Sequence, residues 1–444
     1  MTVIAAPDPN FLGSLQDDAE RIRRLVDNNT ARLKSLRAGN PEDAKAARVI
    51  RERLRNVKYE FFGRYAADIY DEVTERCSLP LRLTEVLYAA AGRFPMLLPT
   101  RQAIEAERAL MQQGVKEGLE IDQGLFLAHL LNDARCGTHL IRSMLMPKQE
   151  ALNRIDEFRN TGVIDLGVAK AERRGQVGTV TLTNPEFLNA ENDVVTAALE
   201  IAVDLVLLDK EIQVGVLRGG VVDHPKYRGR RIFSAGINLT HLYYGQISFA
   251  GFMMERELGL VNKLYRGHWR SKSCTDDFED YNEKPWLGVV EAFAIGGGCQ
   301  LLCVLDRVIA ESGSYFNLPA SKEGFIPGAA PLRLPRLVGI QNARQGIFFE
   351  KKFYADEPEG QMICDEVVPP GAMEAAIEAA TTQMMRAGLT SAVGNRKALR
   401  VGQEPLDVFR RYMAVFARQQ ALCMYDPKLM ENLEHSWRPD QRRM

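Results

Sequence analysis

Residues 292–300 read AFAIGGGCQ, and residues 233–239, further upstream, read FSAGINL. Each stretch follows an apolar, strand-like run (residues 214–217 and 287–290) and precedes a helix-like run. The first N–H groups of a helix have no partner inside it, so strand-to-helix turns of this kind leave backbone donors pointing outwards. Two such turns can direct two N–H groups at one oxygen atom, an arrangement called an oxyanion hole.

Regular elements surround these turns. Residues 177–183 are rich in β-branched residues and predict a strand, residues 193–208 predict a helix, and residues 214–217 predict a second strand. A strand–helix–strand repeat indicates parallel strands joined by right-handed connections. The middle of the chain is therefore predicted to be α/β.

The two ends of the chain predict helices. Apolar side chains recur at three- and four-residue spacing before residue 165, and helix starts are marked by Asn40 and Thr100. The tail shows similar spacing. We expect a helical N-terminal domain over residues 1–165, a core over residues 166–370 and a helical tail over residues 371–444.

Composition limits the classes of function. A net charge of −1 gives no global reason to expect binding to nucleic acid or to a membrane. Seven scattered cysteines favour free thiols in the cytoplasm over a disulfide framework. We expect neither a secretory signal nor a membrane-spanning segment.

Three segments in the right order resemble the signatures of the crotonase (enoyl-CoA hydratase/isomerase) superfamily: FSAGINL, AFAIGGGCQ, and the run GFIPGAAPLRLPRLVG at residues 324–339. The resemblance implies a crotonase-like ββα superhelix, a homo-oligomer (a trimer or a hexameric dimer of trimers), and an acyl-CoA thioester substrate. It also implies that the backbone N–H groups of Ile237 and Gly297 bind the thioester oxygen. The neighbouring positions expected to contact substrate are Ala235, Gly236, Asn238, Gly296 and Gly298.

This sequence departs from the hydratase pattern at two positions. Gln300 and Ala320 stand where the resemblance places the two catalytic glutamates. Neither side chain can act as a general base, so the usual addition of water is excluded. Gln300 remains a candidate for positioning the thioester or a peroxide through its amide group.

Two charged residues, Glu191 and Arg256, are expected near the acyl pocket. Glu191 occupies a position where the superfamily usually has an apolar residue of the acyl pocket, and it could accept hydrogen bonds from hydroxyl groups of the substrate. Arg256, in the long segment expected to cover the pocket, could bind a phenol oxygen or pair with Glu191. Ile237, Leu239 and Ile326 are the expected walls of an apolar recess for O2.

The helical N-terminal addition, the long segment after FSAGINL and Gln300 together resemble one branch of the superfamily, the cofactor-independent oxygenases of arylacetyl-CoA. This resemblance covers the chain and implies conversion of 3,5-dihydroxyphenylacetyl-CoA and O2 to 3,5-dihydroxyphenylglyoxylate and CoA, in vancomycin-type glycopeptide antibiotic biosynthesis. It further implies that an α-carbanion held in the oxyanion hole reduces O2, and that the resulting peroxide expels CoA.

No metal, flavin or nicotinamide site is expected. The six histidines do not occur at ligand spacing, and no G-x-G-x-x-G fingerprint follows a strand. His224 and His241 flank the first turn and are weaker candidates for a base. Two alternatives stay open: an acyl-CoA thioesterase or decarboxylase, and a non-catalytic acyl-CoA-binding protein.

Overall fold

The structure is a computed structural model that describes residues 10–11, 13–36, 40–270 and 280–442. Six cysteines within these ranges are free thiols. Cys274, counted above with the other cysteines, lies outside the described residues, as do the first nine residues of the predicted N-terminal domain and the last two of the tail.

Helices fill the first part of the described chain. Asn40 caps the second helix by accepting from the backbone N–H of Glu42 at 3.0 Å, and Thr100 caps the fourth by accepting from Ala103 at 3.2 Å. Both helix starts were predicted from the sequence. The helices before the first strand are α1 Leu15–Ser35, α2 Pro41–Thr74, α3 Leu83–Arg93, α4 Arg101–Arg108, α5 Glu120–Asn132, α6 Ala134–Met144 and α7 Gln149–Thr161.

A seven-stranded sheet follows, in the spatial order β1-β2-β3-β4-β7-β9-β12. Its first three strands form an antiparallel meander, and the neighbours from β3 to β12 are parallel, as the strand–helix–strand repeat predicts. A smaller sheet pairs β8 with β10 and β10 with β11. The strands are β1 Val163–Asp165, β2 Ala169–Arg174, β3 Val177–Leu182, β4 Val214–Gly219, β5 His268–Trp269, β6 Tyr281–Asn282, β7 Trp286–Val290, β8 Phe293–Ile295, β9 Arg307–Glu311, β10 Tyr315–Asn317, β11 Phe353–Tyr354 and β12 Glu366–Val368.

The remaining helices pack on the sheet or extend the tail. The crossover helix between β3 and β4 spans residues 193–208 and packs against β2 and β3. No helix in the described part of the chain is long and apolar enough to cross a membrane. These helices are α8 Asp193–Leu208, α9 Leu239–Tyr243, α10 Asn262–Arg266, α11 Gly297–Leu302, α12 Ala320–Glu323, α13 Ala330–Phe349, α14 Met373–Met385, α15 Leu389–Gln403, α16 Leu406–Met424 and α17 Pro427–Ser436.

Two hydrophobic cores meet near the two glycine-bearing turns. One lies between α8 and the large sheet. The other joins the N-terminal helices to α16 and to two π-helical stretches, Phe249–Met254 and Arg256–Val261, which we call the π-helical segment. α5 packs along α16, so the N-terminal helices and the tail form one layer over the α/β part.

The division of the chain at residues 165 and 370 stays a prediction. The segment before residue 165 also contains a short strand, because β1 pairs with β2 across that boundary. The sequence pattern did not show it, since three residues are too few for a periodic signal.

Candidate active site

The first turn is held between two parts of the chain. Glu191 and Ile237 form an isolated parallel bridge, in which the Glu191 N–H donates to the Gly236 carbonyl at 2.7 Å and the Asn238 N–H donates to the Glu191 carbonyl at 2.8 Å. The Asn238 side chain then accepts from the N–H of His241 at 3.0 Å and caps α9. Glu191 is therefore fixed beside this turn by its backbone.

The second turn lies against the first. It leaves β8 at Ile295, whose N–H donates to the carbonyl of Ser234 at 2.9 Å. Gly236 has a φ of 81°, a conformation that favours glycine. A Cβ there would lie 2.7 Å from the carbonyl oxygen of Ile295 and 3.1 Å from the nitrogen of Gly297. Only a residue without a side chain lets the two turns approach this closely.

Both turns present unengaged donors. Among the hydrogen bonds of the described residues, none uses the backbone N–H of Ile237 or of Gly297. Both residues line one cavity of about 50 Å³. Two N–H groups at the wall of one cavity are what stabilisation of a developing oxyanion requires.

The cavity brings together seven of the twelve residues predicted for the site. They are Ala235, Ile237, Arg256, Gly296, Gly297, Gln300 and Ile326. Glu191, Gly236, Asn238 and Gly298 are buried beside or behind the turns, and Leu239 packs against the N-terminal core. Lining residues that were not predicted include Phe252, Met253, Glu257, Glu323, Phe325 and Phe416.

Arg256 connects the site through every nitrogen of its guanidinium. Nε and Nη2 donate to the two carboxylate oxygens of Glu191 at 2.6 and 3.2 Å, and Nη2 also donates to the carbonyl of Gly297 at 2.8 Å. Nη1 donates to Oε1 of Glu257 at 2.7 Å and to Oε1 of Gln300 at 2.9 Å. Burial opposes the charge, but the two carboxylates outweigh it and raise the pKa of Arg256.

This network fixes the position of the Glu191 side chain. Its side chain is 0% exposed and both of its oxygens are bonded to Arg256, so it has no face on the cavity. A Cβ on Gly297 would collide with Oε1 of Glu191, so the carboxylate lies directly behind the second turn. Of the two roles considered for Arg256, the structure contains the pairing with Glu191.

Gln300 presents its amide to the cavity. Its Oε1 accepts from Arg256, and within the described residues no partner is found for its Nε2. Ala320 also lines the cavity, so neither position that carries a glutamate in the hydratase pattern offers a carboxylate here.

Two carboxylates at the cavity were missed by sequence reasoning. Glu257 follows Arg256 directly, and its Oε2 accepts from the N–H of Ala329 at 3.1 Å. Glu323 lies three residues after Ala320, and burial raises its pKa to about 8. Glu323 lies one helical turn after Ala320, and this spacing is the signal in the sequence that could have revealed it.

Other candidates lie away from the cavity. Neither His224 nor His241 lines it, and burial lowers the pKa of His241. Asp71, Cys77 and Cys136 form the one group of potential metal ligands that the described ranges contain. That group lies among the N-terminal helices, where both oxygens of Asp71 already accept from Arg135.

A parallel sheet with crossover helices and two facing strand-to-helix turns defines the class of protein. Residues 172–413 match the enoyl-CoA hydratase/isomerase family, and the chain belongs to that family. The chain is also 43% identical over 417 residues to the (3,5-dihydroxyphenyl)acetyl-CoA 1,2-dioxygenase of Amycolatopsis orientalis, a match that covers 93% of this chain and 92% of the relative. The resemblance found in the motifs is thereby confirmed.

Hydratases match less of the chain. The short-chain-enoyl-CoA hydratase of Clostridium acetobutylicum is 29% identical over 45% of this chain and 68% of its own. The solved structure of an enoyl-CoA hydratase from Mycobacterium avium subsp. paratuberculosis K-10 has a TM-score of 0.50 at 18% identity, over 62% of this chain and 97% of its own, and supports the fold alone. The match to the dioxygenase is long enough that it must include N-terminal helices.

Proposed function

We propose that this protein is a dioxygenase that converts 3,5-dihydroxyphenylacetyl-CoA and O2 to 3,5-dihydroxyphenylglyoxylate and CoA. The observation that carries the proposal is the cavity with two unengaged N–H groups, Ile237 and Gly297, and no carboxylate at positions 300 and 320. Such a site can stabilise an enolate but cannot add water by the two-glutamate route. The 43% identity to a named dioxygenase supplies the substrate class.

The first step is loss of an α-proton. The negative charge moves onto the thioester oxygen, where the N–H groups of Ile237 and Gly297 donate to it. Removing one such donor typically costs roughly 2.7–4 kcal/mol of transition-state stabilisation. The dihydroxyphenyl ring shares the charge and makes the carbanion electron-rich.

The second step is reduction of O2 by the carbanion itself, without a metal or flavin. O2 is small and apolar, and the walls of the cavity supply the apolar surface it needs, including Ile237, Ile326, Phe252 and Phe416. The resulting peroxide attacks the thioester carbonyl and CoA leaves, so that a four-membered peroxy ring joins Cα to the carbonyl carbon. Loss of the second α-proton then breaks the O–O bond and gives the glyoxylate. Gln300, whose Nε2 has no partner among the described residues, would hydrogen-bond the thioester or the peroxide.

Recognition of the ring hydroxyls by Glu191 and Arg256 stays a prediction. These two side chains bond to each other, and Arg256 also donates to the Gly297 carbonyl. Direct contact of Glu191 with a hydroxyl requires this ion pair to open. With the pair closed, the two residues support the shape of the oxyanion turn.

We further propose that the protein forms trimers or a hexameric dimer of trimers and works in the cytoplasm. Exposed apolar side chains at the end of α13, Phe348 and Phe349, and on α15, Leu399, support self-association. The described cysteines are all free, which suits a reducing compartment. The reaction would supply the dihydroxyphenylglycine of glycopeptide antibiotics.

The deciding test compares CoA release in air and under nitrogen with 3,5-dihydroxyphenylacetyl-CoA as substrate. A dioxygenase releases CoA only in air. A thioesterase releases CoA equally well without O2, whereas a decarboxylase or a binding protein leaves this thioester intact in both atmospheres.

A further inference from the structure

We infer that the carboxyl group of Glu323 removes the α-proton of the acyl-CoA, an inference that rests on the proposed function. The proposed reaction needs a proton acceptor beside the thioester. Gln300 and Ala320 cannot serve, and neither His224 nor His241 lines the cavity.

Glu323 lines the same cavity as the two N–H donors Ile237 and Gly297. It is the last residue of α12, and Ala320 is the first. Residues three apart in a helix lie on the same face, so the side chain at 323 projects one turn along from the position where hydratases carry a glutamate. The site therefore keeps a carboxyl group near the substrate, but on a different residue.

Glu323 is also unengaged. It is 8% exposed, and no hydrogen bond or ion pair joins its carboxyl to another side chain or to the backbone of the described residues. Glu191 and Glu257, the other carboxylates of this region, both accept from Arg256. A carboxylate tied to a guanidinium is a weaker base than one that faces an apolar cavity.

Burial and the neighbouring charges together favour the protonated form of Glu323. Burial raises its pKa, Lys322 on the same helix lowers it in part, and the Glu350 carboxylate raises it further. Glu257 and Arg256 line the same cavity and are paired with each other. A base whose pKa lies near the working pH combines the correct protonation state with enough driving force for proton transfer.

Transfer of the α-proton to Glu323 needs no further reactant. The Cα–H bond breaks and an O–H bond forms on Glu323, while the electron pair stays on Cα and spreads to the thioester oxygen. The N–H groups of Ile237 and Gly297 then hold that oxygen. No oxidant takes part until O2 reacts with the carbanion.

The test measures exchange of the α-hydrogens of 3,5-dihydroxyphenylacetyl-CoA with D2O under nitrogen, by mass spectrometry. Glu323→Gln keeps the shape but loses the base, and exchange should fall by about 100-fold, the lower range for a general base. Glu350→Gln is the matched control, since it removes a neighbouring carboxylate that does not line the cavity, and it should exchange like the wild type. Exchange by Glu323→Gln within threefold of wild type would overturn the inference.

A second measurement keeps the inference testable if Glu323→Gln fails to fold. The exchange rate of the wild type should rise with pH towards a plateau, following the ionisation of Glu323, and a flat profile between pH 6 and about 9 would contradict it. The outcomes also separate the two proposals. Wild-type exchange under nitrogen with no oxygen uptake in air overturns the proposed function and leaves the assignment of Glu323 standing.

Discussion

Single residues decide what this site can do. The change from a glutamate to Gln300 and to Ala320 is visible in the sequence, because both positions lie at fixed offsets within motifs. The importance of Gly236 and Gly297 as turn residues is equally visible. Glu323 was not predicted, because a glutamate next to Lys322 in a short helix resembles an ordinary surface residue until the fold buries it.

The burial of Glu323 predicts a pH-dependent stability. In the folded protein the Glu323 carboxyl group keeps its proton up to about pH 8. A glutamate in an unfolded chain releases its proton at about pH 4.3. The folded state therefore binds more protons between these values, and this group's contribution to the free energy of unfolding is lost as pH rises towards 8. Urea denaturation should show that Glu323→Gln gains stability relative to wild type between pH 5 and pH 8.5.

A stability difference between Glu323→Gln and wild type that is the same at pH 5 and at pH 8.5 would contradict the raised pKa. Glu350→Gln serves as the control here too. Its carboxylate adds to the pKa of Glu323 only as a secondary influence, so its pH dependence should stay close to that of wild type.

At the scale of elements, the π-helical segment sets the geometry of the site. It carries Phe252, Met253, Arg256 and Glu257 into the cavity wall. The sequence indicates that a long segment follows the first turn and covers the pocket, but its π-helical form has no periodic signature. For the same reason, the sequence left open whether Arg256 pairs with Glu191 or faces the substrate.

We expect substitutions of Arg256 and Glu191 to have non-additive effects on the free energy of unfolding. Arg256→Met leaves the buried Glu191 carboxylate without its cation and removes the nearer of the two cations of Glu257, and it should lower the free energy of unfolding by about 3–5 kcal/mol. Adding Glu191→Gln should recover part of that loss, by about 0.5–3 kcal/mol in a double-mutant cycle. Denaturant unfolding of the four proteins measures this.

The control for that cycle is Arg48→Met, which removes an ion pair with Glu52 that is exposed to solvent. It should change stability little, because exposed pairs are screened by water and salt. If the effects of Arg256→Met and Glu191→Gln on the free energy of unfolding simply add, the two side chains do not act as a pair.

At the scale of the whole molecule, the tail contributes to the cavity wall and the N-terminal helices pack against the tail. Phe416 of α16 lines the cavity, and α16 packs along α5. Helical periodicity predicts both parts from the sequence. Their contact could not be predicted, because it joins positions separated by most of the chain and depends on the shape of both surfaces.

Because α5 packs closely on α16, we expect a larger side chain in this contact to lower the stability of the protein. A Cβ on Gly124 would collide with the Ala421 side chain and lie 2.8 Å from the carbonyl oxygen of Ala417. Gly124→Ala should therefore cost about 1–3 kcal/mol and lower oxygen uptake by shifting the helix that carries Phe416. Thermal or denaturant unfolding, with uptake measured in parallel, checks both effects.

Gly92→Ala is the matched control, because it lies in helix α3 and a Cβ there meets nothing within 4 Å. It should be neutral or stabilising by up to about 1 kcal/mol, since alanine favours a helix over glycine. A Gly124→Ala protein as stable as the Gly92→Ala protein would contradict the close approach of the two helices.

The most direct measurement of the central claim is oxygen uptake by chelator-treated protein supplied with 3,5-dihydroxyphenylacetyl-CoA, with released CoA counted in the same sample. The proposed function predicts that one O2 disappears for each CoA released, without added metal or flavin. Release of CoA with no loss of O2 would contradict it and would make the protein a thioesterase.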